Sequence, residues 1–201
     1  MTTALNELYD RNFFGEYSRK NARYQAACEL IATEIANRFS PTSAIDWGCG
    51  TGLHVGALVR AGVDAIGVDG VLADDDLRDP DATIVIADLR SPPPLDGVPQ
   101  TCDLSMCIDV LEHIEERDSA AALDHVIAGA ELVILSCAPP HQGGHHHVNE
   151  QPRRYWVARM AELGWAYQRR ETGAMENYFL TKRDVLTESW MYHNLCVYRR
   201  S

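Results

Sequence analysis

The segment from Cys137 to Pro152, CAPPHQGGHHHVNEQP, holds four of the chain's eight histidines, at positions 141, 145, 146 and 147. Imidazole changes charge near neutral pH, so such a cluster can do chemistry. Three readings stand side by side. In the first, one or two rings serve as a general base or hold a substrate atom in place; His141, His145 and His147 are the candidates. In the second, the loop grips a divalent metal. In an extended segment His145 and His147 point one way and His146 the other. A ligand set would then pair His145 and His147 with His141 or Glu150, and no standard spaced metal motif is present, so a metal is not favoured. In the third, the histidines only pack a loop shaped by Pro139, Pro140 and Pro152. Gly143 and Gly144 let that loop mould itself or move.

A second chemical signal lies upstream, in DWGCGTG at 46–52. Gly48, Gly50 and Gly52 make a tight strand-to-helix turn that lets backbone approach a ligand with no Cβ in the way. The dinucleotide pattern is G-x-G-x-x-G, and Leu53 stands where its third glycine would be. A glycine turn alone is weak evidence, but here acids accompany it. Asp69 follows Gly52 by 17 residues, and a carboxylate there can accept two hydrogen bonds from a ribose diol. Asp88 is placed to accept from an exocyclic adenine amine. This acidic chain suits a cofactor with a neutral ribose and a cationic centre. It suits a polyphosphate poorly, and there is no P-loop lysine. His113, in LEHI, is expected to begin the helix after the fourth strand; a structural role for it outweighs a catalytic one. His54 touches a ligand or faces solvent at a helix N-terminus. Trp47 and Cys49 read as packing and backbone positions, and Cys49 has no paired base for covalent chemistry.

These residues need elements to position them. Apolar spacing predicts a helix over Ala22–Phe39, ended by Pro41. Strands are predicted at AIDW, DAIGVDG, ATIVIADL, CDLSMCIDV and ELVILSCA, with helices after the first and within 111–130. Pro92–Pro94 place SPPPLDGVPQ in a loop. RRYWVARMAELGW reads as a helix capped by Gly164, followed by strand-like segments near Trp165–Arg170 and His193–Tyr198. Strands alternating with helices imply a mainly parallel sheet covered on both faces, with ligands at the carboxyl ends of its strands. The glycine loop, Asp69, Asp88, Asp109 and the histidine loop all fall at such ends.

The 201 residues, 46% hydrophobic and 23% charged, suit one globular domain. No apolar run reaches a membrane span, and MTTALNELYDRN shows no secretory pattern. Six cysteines without CxxC pairing, three beside apolar runs, point to reduced thiols and a cytoplasmic protein. A net charge of −11 argues against a nucleic-acid backbone binder.

The stretches AIDWGCGTG, GVDG, IADL and CDLSMCIDVLEHI, over about residues 40–140, together resemble the class I S-adenosylmethionine-dependent methyltransferases. The resemblance implies a Rossmann-like seven-stranded sheet of order 3-2-1-4-5-7-6, with one antiparallel strand in the last hairpin. It also implies S-adenosylmethionine as cofactor and S-adenosylhomocysteine as product. Asp46 would support the loop or the methionine amino group, and Gly48, Cys49, Gly50 and Gly52 would line the methionine part. Asp69 with Gly70 would hold the ribose, Asp88 with Leu89 the adenine, and Ile108 with Asp109 the edge beside the sulfonium. The DVLEHI form resembles the subgroup that methylates small molecules, including quinones and natural products. VLADDDLRDP is more acidic than usual for the family, so the helix after strand two is expected to be short. The chain then divides into a helical lid (1–40), a cofactor core (41–140) and an acceptor side (141–201). The expected acceptor is a small molecule taking the methyl on oxygen or nitrogen, with no nucleic-acid or membrane partner. The lid and late hairpin are where a homodimer would form. The rivals are a non-catalytic cofactor-binding regulatory partner and a nicotinamide-dependent oxidoreductase.

Overall fold

The structure is a computed structural model that describes residues 5–91, 94–186 and 193–201. Two short helices, α1 (Leu5–Leu8) and α2 (Arg11–Glu16), precede the long α3 (Ala22–Phe39). The Asn21 side chain accepts from the Tyr24 N–H to start α3, and Ser40, at φ 48°, ends it in a left-handed turn. Its apolar stripe buries Ala27, Ile31, Ala32 and Ile35.

The core then alternates: β1 (Ser43–Trp47), α4 (Leu53–Arg60), β2 (Asp64–Asp69), β3 (Thr83–Ile86), β4 (Cys102–Ile108), α5 (Ser119–Ile127) and β5 (Ala130–Ser136). The last part comprises α6 (Arg153–Glu162), β6 (Trp165–Tyr167), α7 (Arg169–Leu180) and β7 (Cys196–Arg200). Among the described residues the strands form one seven-stranded sheet, in the order β3-β2-β1-β4-β5-β7-β6. The first five pair in parallel, and β7 runs antiparallel to both β5 and β6. This is the order and the single reversed strand that the sequence resemblance implies.

Period-two alternation sorts the strand side chains between two cores. Ala44, Leu104, Met106, Leu132, Ile134 and Val197 meet α3, α4 and α7 on one face. Ile45, Val68, Cys107, Val133, Leu135 and Tyr198 meet α5 and α6 on the other. Both faces are covered, so the central strands read as nearly continuous apolar runs.

Four expectations need adjustment. The strand-like segment at Trp165–Arg170 ends at Tyr167, and Arg169 begins α7. That helix buries Thr172, Met175 and Phe179, a three-then-four spacing interrupted by Gly173. The last strand starts at Cys196 rather than His193. His113 lies in a 3-10 turn, Leu111–His113, well before α5 begins at Ser119. Between β2 and β3 the chain runs through turns with no helix; Val71, Ala73 and Leu77 pack with Phe14 from these turns, and Asp74, Asp75 and Asp76 pair with Arg11, Lys20 and Arg78. Pro92 and Pro93 of the predicted loop lie outside the described residues.

Candidate active site

A cavity of about 400 Å³ opens over the carboxyl ends of β1, β2, β4 and β5, where strand order reverses. Its first wall is the glycine turn. Gly48, Gly50 and Gly52 have φ of 74°, 56° and 76°, backbone that side chains resist. A Cβ at Gly48 would stand 2.4 Å from Val110 Cγ2, and one at Gly52 would stand 2.6 Å from Ala82. Gly52 therefore serves the turn and its packing, and it does not line the cavity. Gly67 on β2 makes room for the Cys49 side chain, whose Sγ would be 2.4 Å from an added Cβ.

Asp69, at the end of β2, fixes this turn. One carboxylate oxygen accepts the Gly50 N–H at 2.8 Å and the other accepts the Val71 N–H at 2.9 Å. Burial nevertheless pushes its pKa up. Asp46 is 3% exposed, and its Oδ2 has no hydrogen-bond partner among the described residues. Burial, helped by the charge of Asp69, pushes its pKa up to about 8. His54 faces it, Nδ1 to Oδ2 at 3.9 Å, rather than facing solvent. Burial lowers the His54 pKa to about 4, so the ring is neutral and does not discharge Asp46. Asp88 also lines the cavity, but its carboxylate is held by Arg90, with Nη2 to Oδ2 at 2.6 Å. That guanidinium keeps the acid below its ordinary range. Leu89, Gly70 and Ile108 complete this end.

The opposite wall carries the histidines. Asp109, at φ 54°, accepts from the Ser136 hydroxyl at 2.7 Å, and burial raises its pKa to about 6. Glu112 is fully buried: Oε1 accepts the Ala138 N–H at 3.0 Å, and Oε2 is unpartnered among the described residues. Burial and then Asp109 push its pKa well up. The Glu112 carbonyl accepts the Val148 and Asn149 N–H groups, which docks the histidine loop on the turn after β4. Glu150 shapes that loop by accepting the His141 and Gly143 N–H groups and the His147 ring N–H, the last at 2.9 Å. Gly144 is required by His147, because a Cβ there would lie 2.3 Å from Nε2.

His113, His145 and His147 line the cavity; His141 does not. It is exposed, and its backbone N–H donates to Glu150. His145 donates from Nε2 to the Leu8 carbonyl at 2.6 Å and packs on Phe13. Tyr9 stacks edge-on against His113, His145 and His146. The N-terminal aromatics Tyr9, Phe13, Phe14 and Tyr17 thus roof the cavity. The loop set of His145 and His147 with His141 or Glu150, expected for a metal, does not converge; Glu112, His113 and His147 do, with one ligand atom of each within 4.8 Å of the others.

The family model described as a methyltransferase domain matches residues 18–184 of this chain. The chain belongs to the methyltransferase-domain family. Among solved structures, the fold of this methyltransferase-domain protein is similar to that of magnesium protoporphyrin IX methyltransferase from Synechocystis PCC 6803, crystallised with S-adenosylhomocysteine. That likeness has a TM-score of 0.59, with 19% identity over 98% of this chain and 93% of that one. It is also similar to Burkholderia thailandensis 1,6-didemethyltoxoflavin-N1-methyltransferase, with a TM-score of 0.63, 14% identity and coverage of 100% and 92%. A curated relative, the ubiquinone biosynthesis O-methyltransferase of Methylococcus capsulatus, is 31% identical over 96 residues. That match spans 45% of this chain and 38% of the relative's length.

Tyr9, Arg90 and Glu112 lie outside the site residues that the sequence points to, and Glu150 enters there only as a metal ligand. Glu112 sits inside the quoted motif, but a carboxylate written beside Glu115 and Glu116 looks like one more surface acid until burial is known. Arg90 had a signal: it stands two residues after Asp88, close enough to turn back on it.

Proposed function

We propose that this protein transfers a methyl group from S-adenosylmethionine to an oxygen or nitrogen of a small molecule. The observation that carries the reading is one cavity with two unlike ends: acids around a glycine turn at one, histidines and a buried glutamate at the other. The residues fit the cofactor. The unpartnered Asp46 Oδ2 offers a buried carboxylate to an ammonium group, and Asp69 already presents both oxygens beside the turn. Leu89, Ile108 and the Gly48–Cys49 backbone supply apolar and backbone surface between them.

When bound, the cofactor supplies an electrophilic methyl on a sulfonium sulfur, which keeps the electron pair of the broken bond. The chain's own residues do the rest. Tyr9, Phe13 and Tyr17 enclose the acceptor and exclude water, and the Glu112–His113–His147 wall sets the acceptor atom in line and handles its proton. Positioning of this kind supplies most of the rate in such displacements. Burial holds His113 neutral, with a pKa of about 4, so its ring can accept as well as donate. Aromatic walls suit a flat acceptor, and relatives named for O- and N-methylation support either atom. The acidic balance of the chain disfavours nucleic acid. No described helix is long and apolar enough to cross a membrane. Six free thiols favour a reducing, cytoplasmic setting.

The test is calorimetric titration with S-adenosylhomocysteine, followed by an acceptor screen with labelled cofactor. Binding lost in Asp69→Ala supports the reading. Absence of binding to the wild-type chain, with NADH binding in its place, would overturn it.

A further inference from the structure

We propose that Glu112, His113 and His147 form a binding site for a first-row divalent cation, whose open positions hold a hydroxyl oxygen of the acceptor. The three side chains come from two segments: the 3-10 turn after β4 and the loop after β5. They reach the same corner of the cavity, with ligand atoms mutually within 4.8 Å. Two imidazoles and one carboxylate are a donor set that zinc, iron(II) and their neighbours accept.

The second observation is how each group is already prepared. Glu112 is buried, and its Oε1 is committed to the Ala138 N–H while Oε2 has no partner among the described residues. An unpartnered buried carboxylate oxygen is costly unless something else occupies it. The His113 Nδ1 is buried and has no partner among the described residues. His147 donates from Nδ1 to Glu150, which leaves Nε2 as its ligating nitrogen. Metal-binding histidines are held as His147 is: one nitrogen faces the ion and the other donates to a carboxylate or carbonyl. Glu150 is itself pinned by the His141 and Gly143 N–H groups.

The ligands are gathered but not closed. Ligand atoms on one tetrahedral ion stand about 3.3 Å apart, so the widest separation must shrink by about 1.5 Å. Gly143 has open space around it and gives the loop that carries His147 room to move. Three protein ligands leave positions free for substrate, as in catalytic rather than structural sites. A cation there would orient a hydroxylated acceptor and ease loss of its proton, as it does for bound water. Cation binding stands on these residues alone; the acceptor role rests on the methyl-transfer reading above.

The experiment uses the full chain, stripped of metal with a chelator and dialysed, and titrates it with Co²⁺ and then Zn²⁺. The expected result is one saturable Co²⁺ per chain with a d–d absorption spectrum, displaced by Zn²⁺. His147→Asn and Glu112→Gln should abolish the spectrum. Glu150→Gln should weaken binding by about 10–100-fold, and His141→Ala should bind like wild type. Binding of S-adenosylhomocysteine in chelator checks that each variant is folded. If Glu112→Gln fails that check, His147→Asn alone decides. No saturable Co²⁺, or Co²⁺ held equally by folded variants, overturns the cation site and leaves methyl transfer standing. Loss of S-adenosylhomocysteine binding by wild type with or without metal would instead remove the methyl-transfer reading.

Discussion

Replacing Asp46 with asparagine should make the ligand-free protein more stable and the cofactor bind more weakly. Asp46 is buried, and its pKa rises from 3.8 to about 8 because burial penalises the charged form. A raised carboxyl contributes stability that is full below its unfolded value and is lost as pH rises toward its folded value. At about 1.4 kcal/mol per unit, ionising this one group costs the fold about 3 kcal/mol more at pH 8 than at pH 5.5. For a chain of this size, that is about 6–12 °C in melting temperature. The difference in melting temperature between wild type and Asp46→Asn should therefore change by that amount across the interval, the variant gaining at high pH. The same group links to binding. Near pH 7 Asp46 is mostly protonated, so pairing it with the cofactor's ammonium must release close to one proton. Calorimetry with S-adenosylhomocysteine in two buffers of different ionisation enthalpy measures that release directly. Asp46→Asn should show none and should bind about 10–100-fold more weakly, the worth of a charge-assisted hydrogen bond. A stability difference that does not vary with pH, together with binding that releases no proton, would refute this account of Asp46.

Other expectations follow from single contacts. Asp69→Ala removes the acceptor for the Gly50 and Val71 N–H groups; titration should show S-adenosylhomocysteine affinity falling more than tenfold, with a smaller loss in melting temperature. Gly48→Ala must enter positive-φ backbone and meet Val110, so denaturant unfolding should report a loss of about 2–3 kcal/mol. Once an acceptor is in hand, His147→Ala should lower turnover by about 10²–10⁴-fold, the range for removing a proton-handling group. His141→Ala, whose ring is exposed outside the cavity, should stay near wild type in the same assay. Gly144→Ala should mimic the His147 variant with an intact fold, because its Cβ would displace the His147 ring.

The sheet was largely legible in the sequence because its central strands are buried on both faces, and continuous apolar runs of that length have few other uses. Glycine turn and acids fell at strand ends, and the structure brings Asp46, Gly48, Gly50, Asp69, Asp88 and Asp109 to one cavity. The less legible parts depend on tertiary contacts. α7 has only three buried positions in twelve residues and carries Gly173 at its centre, so local pattern gave it no advantage over a strand. Ring directions in the histidine loop could not follow simple strand alternation, because His141 and His146 adopt positive φ and Gly143 and Gly144 turn the chain. That is why His141 leaves the site and His113, from another segment, joins His147 there at a ring separation of 4.8 Å.

The electrostatics of the cavity bear on why these acids are there at all. Asp46, Asp69, Asp109 and Glu112 line one space, and burial raises the pKa of each. A carboxylate oxygen left unpartnered in the interior costs stability, and an apolar residue of similar volume would usually cost less. Structural utility therefore does not account for Asp46 Oδ2 or Glu112 Oε2, both unpartnered among the described residues. Protonation lowers that cost, and a positive group arriving from outside would offset it further by pairing with each oxygen. The two oxygens come from different elements, one from β1 beside the glycine turn and one from the 3-10 turn on which the histidine loop docks. A single cofactor cation placed at the turn discharges the first and leaves the second exposed to the acceptor side. Neutral isosteres at the two positions should then separate: Asp46→Asn acting on cofactor affinity, Glu112→Gln on cation and acceptor binding. If both substitutions moved only cofactor affinity, the cavity would have one electrostatic end rather than two, and the acceptor would have to be held by the aromatic roof alone.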